Sequence, residues 1–155
     1  MNIRLGWILS PLPVVLLLVG CGPKIGNGVL APNLTAPNGG SLAAVADGKY
    51  HVEAVLDRDA GALEIHTLDA EAKASLNTAS EGLETRVKIG SAESRFLILA
   101  PVASVTKGTF AGNTALYRGE AEWLKTKDGL TVVIDTLVAR GRKYQQISVT
   151  VPPPR

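Results

Sequence analysis

Between residues 41 and 151 the chain alternates apolar and polar side chains in short runs that are separated by turn residues. In residues 49–56, every second side chain from Tyr50 onward is apolar or aromatic. A period of two is that of a β-strand, whose successive side chains point to opposite faces of a sheet. The turn at residues 57–61 and a second alternating run at residues 62–68 therefore predict a β-hairpin.

Similar runs continue toward the C-terminus. Further strands are predicted at residues 84–89, 95–100, 130–138 and 144–151. Residues 115–126 are compatible with either a strand or a helix. The strand is favoured because residues 127–129, with the sequence Lys-Asp-Gly, then form a hairpin turn into the strand at 130–138.

About seven or eight short strands with turns every ~8–12 residues predict an all-β domain, and their spacing favours an immunoglobulin-like β-sandwich at residues 41–151. The sheet is expected to end at residue 151, because the prolines that follow cannot donate ladder hydrogen bonds. Residues 152–155 are therefore predicted to be a Pro-rich tail. The side chains expected in the core are Tyr50, Val52, Leu56, Leu63, Ile65, Phe96, Ile98, Tyr117, Trp123, Val133 and Ile147.

The N-terminal segment has the three-part shape of a secretory signal peptide at residues 1–20. Its apolar run, residues 5–19, is shorter than the ~20 residues of a membrane-spanning helix. The segment ends in Leu18-Val19-Gly20-Cys21, which resembles the lipobox of bacterial lipoproteins. The resemblance implies cleavage before Cys21 and attachment of two or three acyl chains there, enough for stable membrane anchoring. The alternative is an ordinary cleaved signal followed by a free thiol.

The residue after the lipidated cysteine bears on location. Asp at this position tends to retain lipoproteins at the inner membrane, and this chain has Gly22. The resemblance therefore implies a lipid anchor in the cell membrane, and in a cell with two membranes the outer membrane, facing the periplasm. Residues 21–40, rich in Gly, Pro and Asn, are predicted to be the lipidated cysteine and a flexible tether of about 25 Å.

Cleavage leaves 135 residues, with 15 Lys and Arg against 14 Asp and Glu. That is the size of one domain, and its charge lacks the basic density that nucleic-acid binding requires. Because the chain has a single cysteine, it can form no internal disulfide, and the fold depends on its core alone.

The only two histidines, His51 and His66, share a face of the first predicted hairpin. If Leu56 pairs with Leu63, Glu53 lies opposite His66 and His51 lies diagonally from it, within ~7–8 Å. A shift of two residues would place His51 opposite His66 instead. Imidazole and carboxylate ligands suit Zn²⁺ or Cu²⁺, so His51, Glu53 and His66 are a candidate metal site. The alternative is the polar, solvent-facing side of a half-buried sheet.

Three short motifs carry a second resemblance. They are Pro37-Asn38-Gly39-Gly40, the Asp-Gly-Lys-Tyr-His-Val-Glu run at 47–53 and the Leu-Asp-Ala-Glu-Ala-Lys run at 68–73. In order and spacing they are similar to a group of small exported bacterial β-domain proteins, whose opening motif is Pro-His-Gly-Gly and whose histidines suggest metal handling. This chain departs from the group by carrying Asn38 in place of the opening His.

The pattern of residues favours a protein that is not an enzyme. The serines lack a Gly-X-Ser-X-Gly setting, and lipidation would consume the only thiol. A small basic turn, Arg140, Arg142 and Lys143, indicates either solubility or contact with lipid headgroups or polyanions. We therefore expect a membrane-anchored lipoprotein that presents a small β-domain for interaction with envelope proteins or polymers. No nucleic-acid partner is expected, and no cofactor beyond the lipid on Cys21. The alternative is a periplasmic metal-binding or metal-delivery domain that uses His51, Glu53 and His66.

Overall fold

The computed structural model describes residues 34–103 and 108–154. The predicted signal peptide, the lipobox with Cys21 and most of the predicted tether lie outside these residues. The described part contains eight strands: β1 Ser41–Val45, β2 Tyr50–Asp57, β3 Ala62–Leu68, β4 Leu83–Ile89, β5 Arg95–Pro101, β6 Leu116–Glu120, β7 Leu130–Ala139 and β8 Arg142–Val151. One turn of 3-10 helix, Glu122–Leu124, connects β6 to β7. No helix within the described ranges has the length and apolar character needed to cross a bilayer.

The strands form one antiparallel sheet in the order β1-β2-β3-β6-β5-β4-β7-β8. Its two end strands, β1 and β8, contact each other, so the sheet is nearly closed. Only two residue pairs, Ala100 with Arg118 and Pro101 with Tyr117, join the halves at β5 and β6. The predicted all-β class and strand number are confirmed.

The core lies between the two halves of the sheet. Val52 and Ile65 from the first half meet Ile134 and Ile147 from the second, and all four are fully buried. A second, smaller cluster forms on the outer side of β1 and β3 from Leu42, Leu68 and Ala72, with Ala36 packed against it. Both clusters consist of residues between 36 and 151, so the β-domain contains its own core.

Most of the expected core residues are confirmed. Val52, Leu63, Ile65, Tyr117 and Ile147 are fully buried, and Tyr50, Leu56 and Trp123 pack against the cluster from half-buried positions.

The prediction was wrong for β5, where Phe96 and Ile98 are 56% and 62% exposed. Leu97 and Leu99 point inward in their place, the first half-buried and the second fully buried. In β7, likewise, Val132 and Ile134 enter the core while Val133 is half-buried on the other face. Both strands contain consecutive apolar residues, so their sequence alone does not say which parity faces inward.

The predicted hairpin between residues 115–126 and 130–138 was also wrong. The strand β6 is present, but it lies between β3 and β5, whereas β7 pairs with β4 and β8. The 3-10 helix breaks the run after Glu120, and its Leu124 is fully buried in the main core. The 3-10 helix thus connects β6 in one half of the sheet to β7 in the other half. The turn at 127–129 therefore leads into a strand that pairs with β4 and β8, and not with β6.

Candidate functional site

Of the two registers that the sequence left open for the β2–β3 hairpin, the structure has the first. Leu56 pairs with Leu63 and Glu53 pairs with His66, which places both of those polar residues and His51 on the outer face. That face is not open to solvent, however. His51 is 3% exposed and Glu53 is 0% exposed, because chain segments before β1 and after β3 cover them.

Residues 38–40, which we call the 38–40 segment, hold the Glu53 carboxylate. Its Oε1 accepts the backbone N–H groups of Asn38 at 2.9 Å and of Gly40 at 2.8 Å. Its Oε2 accepts the side-chain amide of Asn38 at 2.8 Å. A buried charge is tolerated only when polar partners replace water, and here three donors do so. Glu53 therefore ties the chain entering β1 to the middle of β2.

Glycine is required in this segment for two different reasons. Gly39 has a φ of +78°, a conformation that side chains rarely adopt. Gly40 lies directly against β2, and a Cβ atom there would fall 2.3 Å from the carbonyl oxygen of Ala54. The Pro-X-Gly-Gly motif and the Val-Glu strand are thus one structural unit, although the sequence shows them only as separate motifs.

His51 holds the loop at residues 69–74 on the other side of Glu53. Its Nδ1 lies 3.1 Å from the carbonyl oxygen of Asp69, which can only accept, so Nδ1 carries the proton. The Asp69 carboxylate in turn accepts the backbone N–H groups of Lys73 and Ala74, at 2.8 and 3.2 Å. These N–H groups, that of Lys73 first, hold the pKa of Asp69 below its ordinary value. His51 therefore fastens a loop rather than lining an open site.

His66 has different neighbours. Its Nε2 lies 3.3 Å from Oε2 of Glu64, whose other oxygen accepts Nη1 of Arg118 at 2.8 Å. Arg118 also pairs with Glu120 at 3.0 Å. The imidazole thus lies at one end of a row of charged side chains, Glu64, Arg118 and Glu120, that runs across β3 and β6.

The three candidate ligands share a face but not a common centre. Glu53 bonds to the 38–40 segment, His51 to the 69–74 loop and His66 to Glu64. Among the described residues, no group of three or more His, Cys, Asp or Glu side chains is placed to hold a metal ion. The metal site stays a prediction from the sequence.

A cavity of about 350 Å³, lined by both polar and apolar side chains, lies beside His66. That volume is at the lower end of the range for small-molecule sites. Hydroxyl and amide side chains dominate its wall, and His66 is the one titratable group among the described residues that line it. The other lining residues are Asn38, Ser75, Asn77, Val102, Thr109, Thr114, Ala115 and Leu116.

The outer face of β5 carries the two large exposed side chains Phe96 and Ile98, together with Ala100. We call these three residues the β5 surface. Charged pairs border it on both sides. On the β4 side, Arg86 pairs with Phe96 across the ladder and bonds to Asp135 through Nε at 3.0 Å.

On the β6 side, Arg118 pairs with Ala100 across the ladder and forms salt bridges with Glu64 and Glu120. The surface therefore has an apolar centre and a charged rim. Sequence reasoning placed Phe96 and Ile98 in the core and so missed it. The signal was present, because residues 96–99 are four consecutive apolar residues and one face of a strand can bury only every second one.

Function must be argued from these surfaces themselves. Comparisons with known protein families, with curated proteins and with solved structures found no significant match.

Proposed function

We propose that this protein is a lipid-anchored envelope lipoprotein, without catalytic activity of its own, whose β-domain binds another envelope protein through the β5 surface. The lipobox at residues 18–21 supports the anchor. The observation that carries the binding role is the exposure of Phe96 and Ile98, 56% and 62%, on one strand face.

Moving these two side chains out of water would release a substantial hydrophobic free energy. Fully burying a Phe or Ile side chain contributes about 1.5–3 kcal/mol each. Because the two side chains are 56% and 62% exposed, a partner that covered both would gain a little over half of this. It would do so without rearranging the β-domain, because β5 is already held by β4 along Leu83–Val87. A contiguous exposed apolar patch, unlike single scattered apolar side chains, is the kind of surface that marks an interaction site.

The rim indicates what kind of partner fits. Arg86 with Asp135 on one side, and Arg118 with Glu64 and Glu120 on the other, present both signs of charge. Protein interfaces commonly combine an apolar centre with a polar rim of this kind, and Arg and aromatic residues are enriched in them. A protein surface with an apolar centre and mixed charges would therefore match, whereas a uniformly charged polymer would not.

Site-specific photo-crosslinking in intact cells tests the binding role. A photoreactive amino acid at position 98 should join the protein to one envelope protein, and Phe96→Glu in the same chain should abolish that product. Phe110 provides the matched control, because it is 60% exposed but lies on the turn between β5 and β6. A crosslinked product that survives Phe96→Glu, or that forms equally from position 110, would overturn the proposal.

Cell fractionation tests the anchor separately. The wild-type protein should be found with membranes, and Cys21→Ser should prevent lipid attachment. If metabolic labelling with a radioactive fatty acid marks both proteins equally, Cys21 is not the attachment site.

A further inference from the structure

A second cavity, of about 330 Å³, lies where the β1–β2 turn and the β7–β8 turn meet. We call it the two-turn cavity. Three cationic side chains line it, Lys49, Arg140 and Arg142, against the single carboxylate of Asp47. The whole chain has 16 Lys and Arg against 14 Asp and Glu, so this is a local excess of positive charge rather than a general one.

Aromatic rings form the rest of the wall. Because β8 contacts both β1 and β2, Tyr50 and Tyr144 meet edge to face, with ring centroids 5.9 Å apart and planes at 69°. The guanidinium carbon of Arg140 lies 5.8 Å from the centre of the Tyr50 ring. Burial is the main cause that raises the pKa of Tyr144, and the neighbouring Tyr50 raises it further. The cavity thus combines phenol groups with three cations.

The backbone of Arg140 has a positive φ, as do those of Ala46 and Asp47 in the facing turn. It has a φ of +47° in the two-residue turn that it forms with Gly141 between Ala139 and Arg142. Two-residue hairpin turns prefer Asn or Gly at such a position, because other L-residues are strained there. A strained residue whose side chain reaches over a cavity suggests that the side chain serves a function.

We propose that the two-turn cavity binds a phosphate group, with Arg140, Arg142 and Lys49 as its cationic contacts. The planar guanidinium fork matches two phosphate oxygens, and an ammonium adds a point charge. A cavity of about 330 Å³ has room for the phosphate and for a small group esterified to it. This site is distinct from the β5 surface and does not depend on the function proposed for it.

The variant Arg140→Asn tests the site without threatening the fold. Asn removes the charge and is better suited than Arg to the positive φ of the turn. We expect inorganic phosphate to bind the full-length protein, in a neutral detergent, with saturable NMR shifts in both turns. Losing one charge-assisted contact should weaken this binding about tenfold or more in the variant.

Lys143→Gln is the matched control. Lys143 follows Arg142 directly, but it lines a different surface depression, beside Glu84 and Ser80. It should therefore leave phosphate affinity unchanged, and titration with sodium chloride at equal ionic strength should produce no saturable shifts. Absence of saturable phosphate binding in the wild type, or equal weakening by both variants, would overturn the proposal.

A second titration distinguishes the source of the phosphate. Glycerophosphoglycerol is a soluble phosphodiester that reproduces the headgroup of an anionic phospholipid. Tighter binding of the diester than of inorganic phosphate would support the site and assign it to lipid headgroups. The reverse order would also support the site and assign it to free phosphate.

Discussion

The contact between Glu53 and the 38–40 segment predicts a large effect of a very small substitution. Glu53→Gln keeps the shape of the side chain and removes its charge. Hydrogen bonds to a charged group contribute about 1.5–3 kcal/mol each, against about 0.5–1.5 kcal/mol for neutral pairs. Glu53 accepts from three donors, the two backbone N–H groups and the Asn38 amide. At a loss of about 1 kcal/mol per bond, the variant should lose about 3 kcal/mol of unfolding free energy.

Urea unfolding of residues 22–155, followed by circular dichroism, would measure this loss. Domains of this size have m values of about 1–3 kcal/mol per M, so the midpoint should fall by about 1–3 M with m unchanged. Glu122→Gln is the control, because that side chain is 87% exposed and its replacement should cost less than about 0.5 kcal/mol.

A double-mutant cycle gives the sharper refutation. Asn38→Ala removes one of the three donors, so its effect should be smaller in the Glu53→Gln background than in the wild type. Strict additivity of the two substitutions, or a Glu53→Gln loss no larger than that of Glu122→Gln, would show that the contact contributes little to stability.

Two further predictions concern the core and the candidate ligands. Burial raises the pKa of Tyr117, whose hydroxyl donates to the carbonyl of Ser80 at 2.9 Å. Because this tyrosine ionises at a lower pH in the unfolded chain than in the folded one, the stability that the Tyr117 hydroxyl contributes should be present below about pH 10 and be lost above it. Tyr117→Phe should cost about 1–3 kcal/mol at neutral pH and reduce the alkaline loss, and equal pH dependence in urea unfolding of both proteins would contradict this. The metal-binding alternative predicts saturable Zn²⁺ or Cu²⁺ binding that is lost in the variant His51→Ala/His66→Ala. If Glu53 is a ligand, it should release its hydrogen bonds from Asn38 and Gly40, and their NMR signals should shift. Equal metal affinity in the wild type and in the double variant would exclude the two histidines as ligands.

The candidate sites were only partly predictable. The register that places Glu53 opposite His66 followed from one of two possible pairings across a short turn, that of Leu56 with Leu63, and the structure has it. The partners of Glu53 did not follow, because they come from a segment that precedes β1 and is brought to β2 by the pairing of β1 with β2. The sequence therefore suggested a polar face open to solvent or metal, where the structure has a buried and fully bonded carboxylate.

The sequence by itself determined that this is a β-domain, where most of its strands run and that β2 and β3 form a hairpin. These features depend on alternation and turn residues, which act over a few positions. Only the tertiary structure decided that Phe96 and Ile98 face outward, that β6 lies beside β5 rather than β7, and that Tyr50 meets Tyr144. Each of these outcomes depends on contacts between residues far apart in the chain. Where a strand is apolar on both faces, local pattern leaves the choice open, and packing against the rest of the core makes it.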